Sequence, residues 1–115
     1  MSTEPKHPLL LPALRYNEYS VAEFIKYCEP IRAELFKPGV EQVDREFLEK
    51  QFVNEMEPLA KMCGHLYGSP NQQVKVRHVN EQLADGIIVP EGATQNIFVE
   101  FTAAKDFYFL KYAFS

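Results

Sequence analysis

The chain has 115 residues, of which 46% are hydrophobic and 24% charged, and its formal net charge is −4. This length is typical of one domain, and the composition is that of a folded protein rather than a disordered one. Because phosphate-binding surfaces are built from clustered Lys and Arg, the acidic balance disfavours nucleic acid as a partner and favours a protein with a basic surface. We therefore expect a single domain over residues 1–115.

The first residues and the cysteines suggest a compartment. Residues 1–5 lack the basic and apolar regions of a secretory signal, and no apolar run approaches the roughly 18 residues needed to cross a bilayer. We therefore expect a cytoplasmic protein. Cys28 and Cys63 each lie in an apolar helical pattern, which favours buried free thiols, although the sequence also allows a disulfide.

Residues 1–19 are interpreted as an extended apolar arm. Three prolines, Pro5, Pro8 and Pro12, surround the leucines at positions 9–11, and this spacing disfavours a stable helix. Leucines need cover, so the arm lies either on the core of its own chain or on a second copy or partner.

The helical half is predicted over residues 20–68. Ser20 and Glu23 have the spacing of a capping box, so the first helix begins there, and the stretch 37–39 ends it. Its apolar residues recur with a period of 3.6, which predicts one buried stripe. The stripe contains Val21, Phe24, Ile25, Cys28, Ile31 and Leu35.

A second helix is predicted to begin with Asp44 as its cap and to end near Gly64 and Gly68. Pro30 and Pro58 lie inside the two helical patterns, and we expect a kink or break at each. The surrounding octads, 24–31 and 52–59, share a sequence pattern that fits either a degenerate duplication or coincidence. The second stripe contains Leu48, Phe52, Met56, Leu59, Cys63 and Leu66.

From Gln73 the apolar period changes to two, which predicts an antiparallel sheet half over residues 73–115. Strands are expected near 74–77, 86–89, 96–101 and 106–115, whereas 79–85 fits a loop, a helical turn or a strand extension. The fold class is therefore α+β, with two N-terminal, proline-interrupted helices packed on a C-terminal antiparallel sheet of about four strands.

The last strand is the most apolar stretch of the chain, reading Asp-Phe-Tyr-Phe-Leu-Lys-Tyr-Ala-Phe-Ser over residues 106–115. Both of its faces are largely apolar, unlike those of a half-solvated strand. It is therefore expected to be central in its sheet, or to have its second face covered by helices or by another subunit. Because a lone monomer would expose much apolar surface here, we expect a homo-oligomer or a partner interface.

Catalytic patterns are weak. The three histidines are too scattered for metal spacing, so we expect no metal and no cofactor. A pocket using Arg77, His78 and Glu100 as anion binder, base and orienting acid is the weak catalytic candidate, although such residues on a strand usually form its solvated face. Residues 98–101 match the end of the RNA-recognition motif's aromatic strand, but the stretch before them lacks its basic residue, glycine and leading aromatic.

The preferred function is therefore non-enzymatic. We expect a small acidic protein-binding module that acts as an inhibitor, an immunity-type antagonist or an adaptor through an apolar and aromatic surface. Two alternatives stay open: a small-ligand binder or oligomeric enzyme with a pocket near Arg77 and His78, and a structural subunit of a larger assembly. The predicted partner-binding residues are Leu9, Leu10, Leu11, Tyr108, Tyr112 and Phe114.

Overall fold

The computed structural model describes residues 4–68, 73–81, 84–92, 95–101 and 108–114, and it confirms the α+β class, with helices preceding most of the strands. The helical elements are a 3₁₀ turn Pro8–Leu10, α1 Pro12–Arg15, α2 Val21–Leu35, α3 Gln42–Phe47, a π-helix Leu48–Met56 and α4 Glu57–Tyr67. The strands are β1 Glu18–Ser20, β2 Val74–Glu81, β3 Ala84–Pro90, β4 Gln95–Phe101 and β5 Tyr108–Phe114.

All described strand pairs are antiparallel, and the sheet order follows the chain, β1-β2-β3-β4-β5. The four predicted strands are present, and β1 adds a fifth from the segment that was expected to be an arm. Of the arrangements expected for the last strand, the central position is wrong, since β5 lies at one edge of the described sheet and β1 at the other. What covers the faces of β5 lies outside the described side chains.

Of the undecided segment 79–85, residues 79–81 and 84–85 belong to strands, and residues 82 and 83 lie outside the described part of the chain. β2 continues to Glu81 and β3 begins at Ala84, with a register shift between His78 and Glu81. Such an irregularity bends the strand and disrupts the regular ladder, which explains why period-two alternation was not readable in this stretch.

The main core lies between the helices and one face of the sheet. The stripe of α2 is buried at Val21, Phe24, Cys28, Ile31 and Leu35, as predicted. The second stripe is buried from Leu48 to Cys63, but Leu66 is 42% exposed because the stripe stops one turn before the helix does. From the sheet, Val76, Ile88 and Val99 complete this cluster.

The helix starts follow two different capping arrangements. The predicted capping box is confirmed: Glu23 N donates to Ser20 Oγ at 3.2 Å, and Ser20 N donates to Glu23 Oε1 at 3.0 Å. The predicted cap Asp44 is wrong, because it lies inside α3, whose N-cap is Glu41 without a side-chain bond.

A kink or break was expected at each of the two prolines. At Pro30 a break is wrong, because α2 runs without interruption to Leu35. Pro58 is the second residue of α4, at the point where π geometry gives way to α geometry. The two octads therefore differ in backbone geometry as well as in sequence.

The N-terminal segment is not extended throughout, since it carries the 3₁₀ turn and α1 before β1. Asp44 Oδ1 holds it, accepting hydrogen bonds from Lys6 N at 2.7 Å and His7 N at 3.3 Å. Leu10 is fully buried in the main core. This part of the segment therefore packs on its own chain, which is one of the two expected arrangements.

Cys28 and Cys63 are buried free thiols, as predicted. Burial raises the pKa of both thiols to about 12. At neutral pH they are therefore protonated, and they contribute to the core as small apolar side chains.

Candidate functional site

His78 is the most unusual polar residue of the core. It is fully buried on the helix-facing side of β2, and its Nε2 lies 2.9 Å from Oε1 of Glu55 in the π-helix. Its Nδ1 is buried and has no hydrogen-bond partner among the described residues. Buried polar atoms are nearly always paired, so such an atom indicates a site that the protein keeps at a cost in stability.

Next to His78, the neighbouring strand β3 makes room for α4. The register places Gly86 of β3 beside His78, and a Cβ at Gly86 would lie 2.6 Å from Cδ2 of Leu59. A residue without a side chain therefore lets α4 approach the sheet at this point.

Tyr16, which follows α1, covers the histidine. Its ring stacks on His78 with centroids 5.6 Å apart and an interplanar angle of 13°. The guanidinium of Arg15 lies 4.6 Å from the centroid of the same ring and 4.7 Å from that of Phe47. Short helix α1 thus places a cation between aromatic rings next to the histidine.

Arg15 is itself only 4% exposed. Nη1 donates to the carbonyl of Leu10 at 3.2 Å, and Nη2 lies 3.4 Å from Oε2 of Glu4. Within the part of the chain that the structure describes, Nε is buried without a hydrogen-bond partner, and the same is true of Oε1 of Gln51 in the π-helix.

A cleft of about 380 Å³ opens beside these residues, between the N-terminal segment and the α3/π-helix side. Its volume falls in the range of small-molecule sites, roughly 300–1,000 Å³. Its lining mixes two cations, two carboxylates and several apolar side chains. The lining residues are Glu4, Pro5, Pro12, Arg15, Tyr16, Val43, Glu46, Phe47, Lys50 and Gln51.

The weak catalytic candidates do not come together. Arg77 is exposed whereas His78 is buried, as expected for successive residues of a strand. Glu100 shares the Arg77 face, since Arg77 pairs with Ile87 and Ile87 with Phe98, two residues before Glu100. Glu100 therefore lies two strands away from His78 and on the opposite face of the sheet. The acidic residue that contacts His78 is Glu55 instead.

Sequence reasoning missed Glu55, although one signal was present. Counting along a helix, Glu55 falls three residues after Phe52 and four before Leu59, on the apolar stripe itself. An acidic residue on a buried stripe needs a partner inside the protein. The sequence did not identify that partner.

The predicted partner-binding leucines separate in the structure. Leu10 is buried, Leu9 is partly buried against the core with its carbonyl accepting from the Tyr27 hydroxyl, and Leu11 is 43% exposed. Only Leu11 therefore offers substantial free surface to a partner.

The other predicted partner residues lie on β5. The register pairs Tyr112 with Ile97 and Tyr108 with Phe101, and it pairs Phe114 with Gln95, so all three occupy the face to which the core residue Val99 belongs. Their side chains lie outside the described part of the structure. The helices make their principal contacts with β1, β2 and β3, so β5 lies beyond the strands that the helical layer mainly covers.

Within the described residues there is no group of three or more His, Cys, Asp or Glu side chains arranged to hold a metal ion. None of the helices in the described ranges is both long and apolar enough to cross a membrane. No family model, curated protein or solved structure matches this chain.

Proposed function

We propose that this chain is a small protein-binding module that takes up a strand of a partner protein along the outer edge of β5. The contrast between the two sheet edges carries this proposal. β1 is a three-residue edge, whereas β5 is a seven-residue edge with a single charged residue, Lys111. No strand in the described ranges pairs with the outer edge of β5.

Long apolar edge strands are a hazard, because their unpaired N–H and C=O groups invite another chain. Soluble proteins shorten, charge or cover such edges. Strand addition satisfies the backbone groups through main-chain hydrogen bonds, while alternate side chains give specificity. Inhibitor, antagonist and adaptor roles differ only in which partner supplies the strand, and we place the encounter in the cytoplasm.

The position of Lys111 favours a foreign strand over a second copy. Lys111 is the middle residue of Tyr108–Phe114, so symmetric antiparallel pairing of two β5 strands would put the two lysines opposite each other. Like charges directly opposite in a sheet are destabilising. The preferred partner strand therefore has an acidic or polar residue at this position, and the net charge of −4 favours a partner whose overall charge is positive.

The test combines capture from native lysate with the mass of the isolated protein by light scattering. Tyr112→Ala and Lys111→Ala are each expected to weaken capture of a stoichiometric foreign protein by about tenfold, or ~1.4 kcal/mol. Leu66→Ala is the matched control, because Leu66 is 42% exposed on α4, away from β5. The Leu66→Ala variant should capture as much of the foreign protein as the unmodified chain does.

Two results would overturn the proposal. If Leu66→Ala weakens capture as much as Tyr112→Ala, the binding surface is not β5. If the isolated chain is a dimer that Lys111→Ala strengthens, the occupant is a second copy, and the homo-oligomer replaces the foreign partner.

A further inference from the structure

The side chain of Arg15 presents hydrogen-bond donors at the cleft, and contacts within the chain satisfy these donors only in part. In a guanidinium group, Nε–H and one N–H of Nη2 point the same way and form a fork that fits a carboxylate with two parallel hydrogen bonds. Among the residues that the structure describes, this fork of Arg15 has one long contact, 3.4 Å from Nη2 to Glu4, and its Nε has no partner.

We propose that this cleft binds a small organic monocarboxylate with an aromatic or branched apolar body, and that Arg15 takes the carboxylate with its Nε/Nη2 fork. Arg15 is 4% exposed, so the charge is held in a largely desolvated place where a paired anion gains most. Its guanidinium plane is fixed by the rings of Tyr16 and Phe47. The fork is therefore preorganised and loses little freedom when the ligand binds.

The remaining lining fits the rest of such a molecule. Pro5, Pro12 and Val43 give apolar walls for its body. Gln51 Oε1, which is buried without a partner, calls for a hydrogen-bond donor such as a hydroxyl group on that body.

The charges of the cleft favour one negative charge on the ligand. Its lining holds Arg15 and Lys50 against Glu4 and Glu46, two cations and two carboxylates. When a ligand carboxylate replaces Glu4 at the fork and the exposed Glu4 side chain turns to solvent, the cleft holds Arg15 and Lys50 against Glu46 and the ligand, again two cations and two carboxylates.

Glu4 acts in this scheme as an internal occupant of the fork. Its side chain is 58% exposed, and it reaches Arg15 through one oxygen at 3.4 Å. A ligand that engages both donors at ordinary hydrogen-bond distance therefore competes with a weak internal contact.

The experiment titrates the full chain with 4-hydroxybenzoate and, as its neutral counterpart, 4-hydroxybenzamide, by calorimetry and by NMR of backbone amides. We expect 4-hydroxybenzoate to bind about tenfold or more tightly than the amide, because only the carboxylate makes charge-assisted bonds to the fork. Glu4→Gln should tighten binding of the acid by about threefold or more, since it removes the competing charge. Glu41→Gln is the control, because it removes the same charge from the Lys6–Glu41 ion pair outside this cleft and should leave affinity unchanged.

Arg15→Lys keeps the charge and removes the fork, and it should weaken binding of the acid by about tenfold or more. Because Arg15 is buried, its replacement can also affect folding. Gln51→Leu is therefore used as a second variant, since it leaves Arg15 and Lys50 unchanged. It should reduce the ratio of the affinity for 4-hydroxybenzoate to the affinity for benzoate. Equal binding of acid and amide would overturn the proposal. So would the absence of binding up to about 10 mM in both the unmodified chain and Glu4→Gln. Neither result bears on β5, so this proposal and the partner-binding proposal fail separately.

Discussion

Oε1 of Glu55 lies 2.9 Å from Nε2 of His78, and this contact joins the π-helix to β2 inside the core. The histidine is fully buried, whereas the glutamate side chain retains 21% of its exposure. π-Geometry is rare in helices and frequently occurs at functional sites. Here the π-helix supplies both the partner of His78 and Gln51 on the neighbouring cleft.

Removing the carboxylate should destabilise the protein strongly. Glu55→Ala removes the partner of His78 Nε2 and leaves that buried nitrogen unsatisfied, which costs about 1–3 kcal/mol. We expect the free energy of unfolding, measured in urea, to fall by roughly that amount.

Two comparisons separate the contact from general effects of substitution. Glu49→Ala changes an exposed residue of the same π-helix and should alter stability by less than about 0.5 kcal/mol. The double variant Glu55→Leu/His78→Phe should lose less stability than its two single changes summed, because both polar partners are gone. Additive losses would show that the two side chains do not interact.

Gly86 should tolerate no side chain. Its Cβ would lie 2.6 and 2.8 Å from the two methyl groups of Leu59, which is fully buried. Gly86→Ala is therefore expected to cost about 1–3 kcal/mol, measured by thermal or urea unfolding. In the Leu59→Ala background the same change should cost much less, and an equal cost in both backgrounds would refute the packing explanation.

The two thiols should be unreactive in the native protein. Burial raises the pKa of Cys28 and of Cys63 from 9.0 to about 12, so almost no thiolate forms at pH 8. A thiol-specific chromogenic reagent should modify both rapidly after unfolding and very slowly before it. Fast modification of the folded protein would contradict the burial of these groups.

The raised pKa of the two thiols also determines how the stability of the protein changes with pH. A folded-state pKa raised above the unfolded value contributes stability that is fully present below about pH 9 and is lost as pH rises towards about 12. Unfolding midpoints should therefore fall in this interval. The variant Cys28→Ala/Cys63→Ala should show a smaller fall over the same range, although it starts from a lower stability.

Asp44 should hold the N-terminal segment in place. Its Oδ1 accepts hydrogen bonds from the backbone of Lys6 and His7, and its side chain is buried. Asp44→Ala should cost about 1–3 kcal/mol and increase proteolytic cleavage within residues 4–11. Asp44→Asn keeps an acceptor and should be milder, and Glu46→Ala, on the exposed side of α3, should leave cleavage unchanged. Equal cleavage of Asp44→Ala and the unmodified chain would contradict this role.

Sequence periodicity was sufficient for the elements with one dominant pattern. The stripe of α2, its capping box at Ser20 and Glu23, and the four strands after Gln73 are all local features, and all four strands and the capping box are present. The buried cysteines follow from the same stripes. These features depend on neighbours within one or two turns, which the sequence displays directly.

The remaining features depend on contacts between distant segments. β1 forms because Tyr19 pairs with Val76, and Asp44 serves the N-terminal backbone 37 and 38 residues away instead of capping its own helix. The contact between Glu55 and His78 spans 23 residues. Alternation placed Arg77 and His78 on opposite faces, but it did not show which face the helices cover, so the predicted catalytic group was assembled from residues that point apart.

Hydrogen exchange followed by mass spectrometry tests most directly whether β5 receives a strand of a partner protein. The chain is compared alone and in complex with the protein that it captures. We predict that the amides of residues 108–114 become strongly protected in the complex, while those of β1 and α4 change little. Unchanged exchange in 108–114, with protection appearing at another surface, would contradict the account.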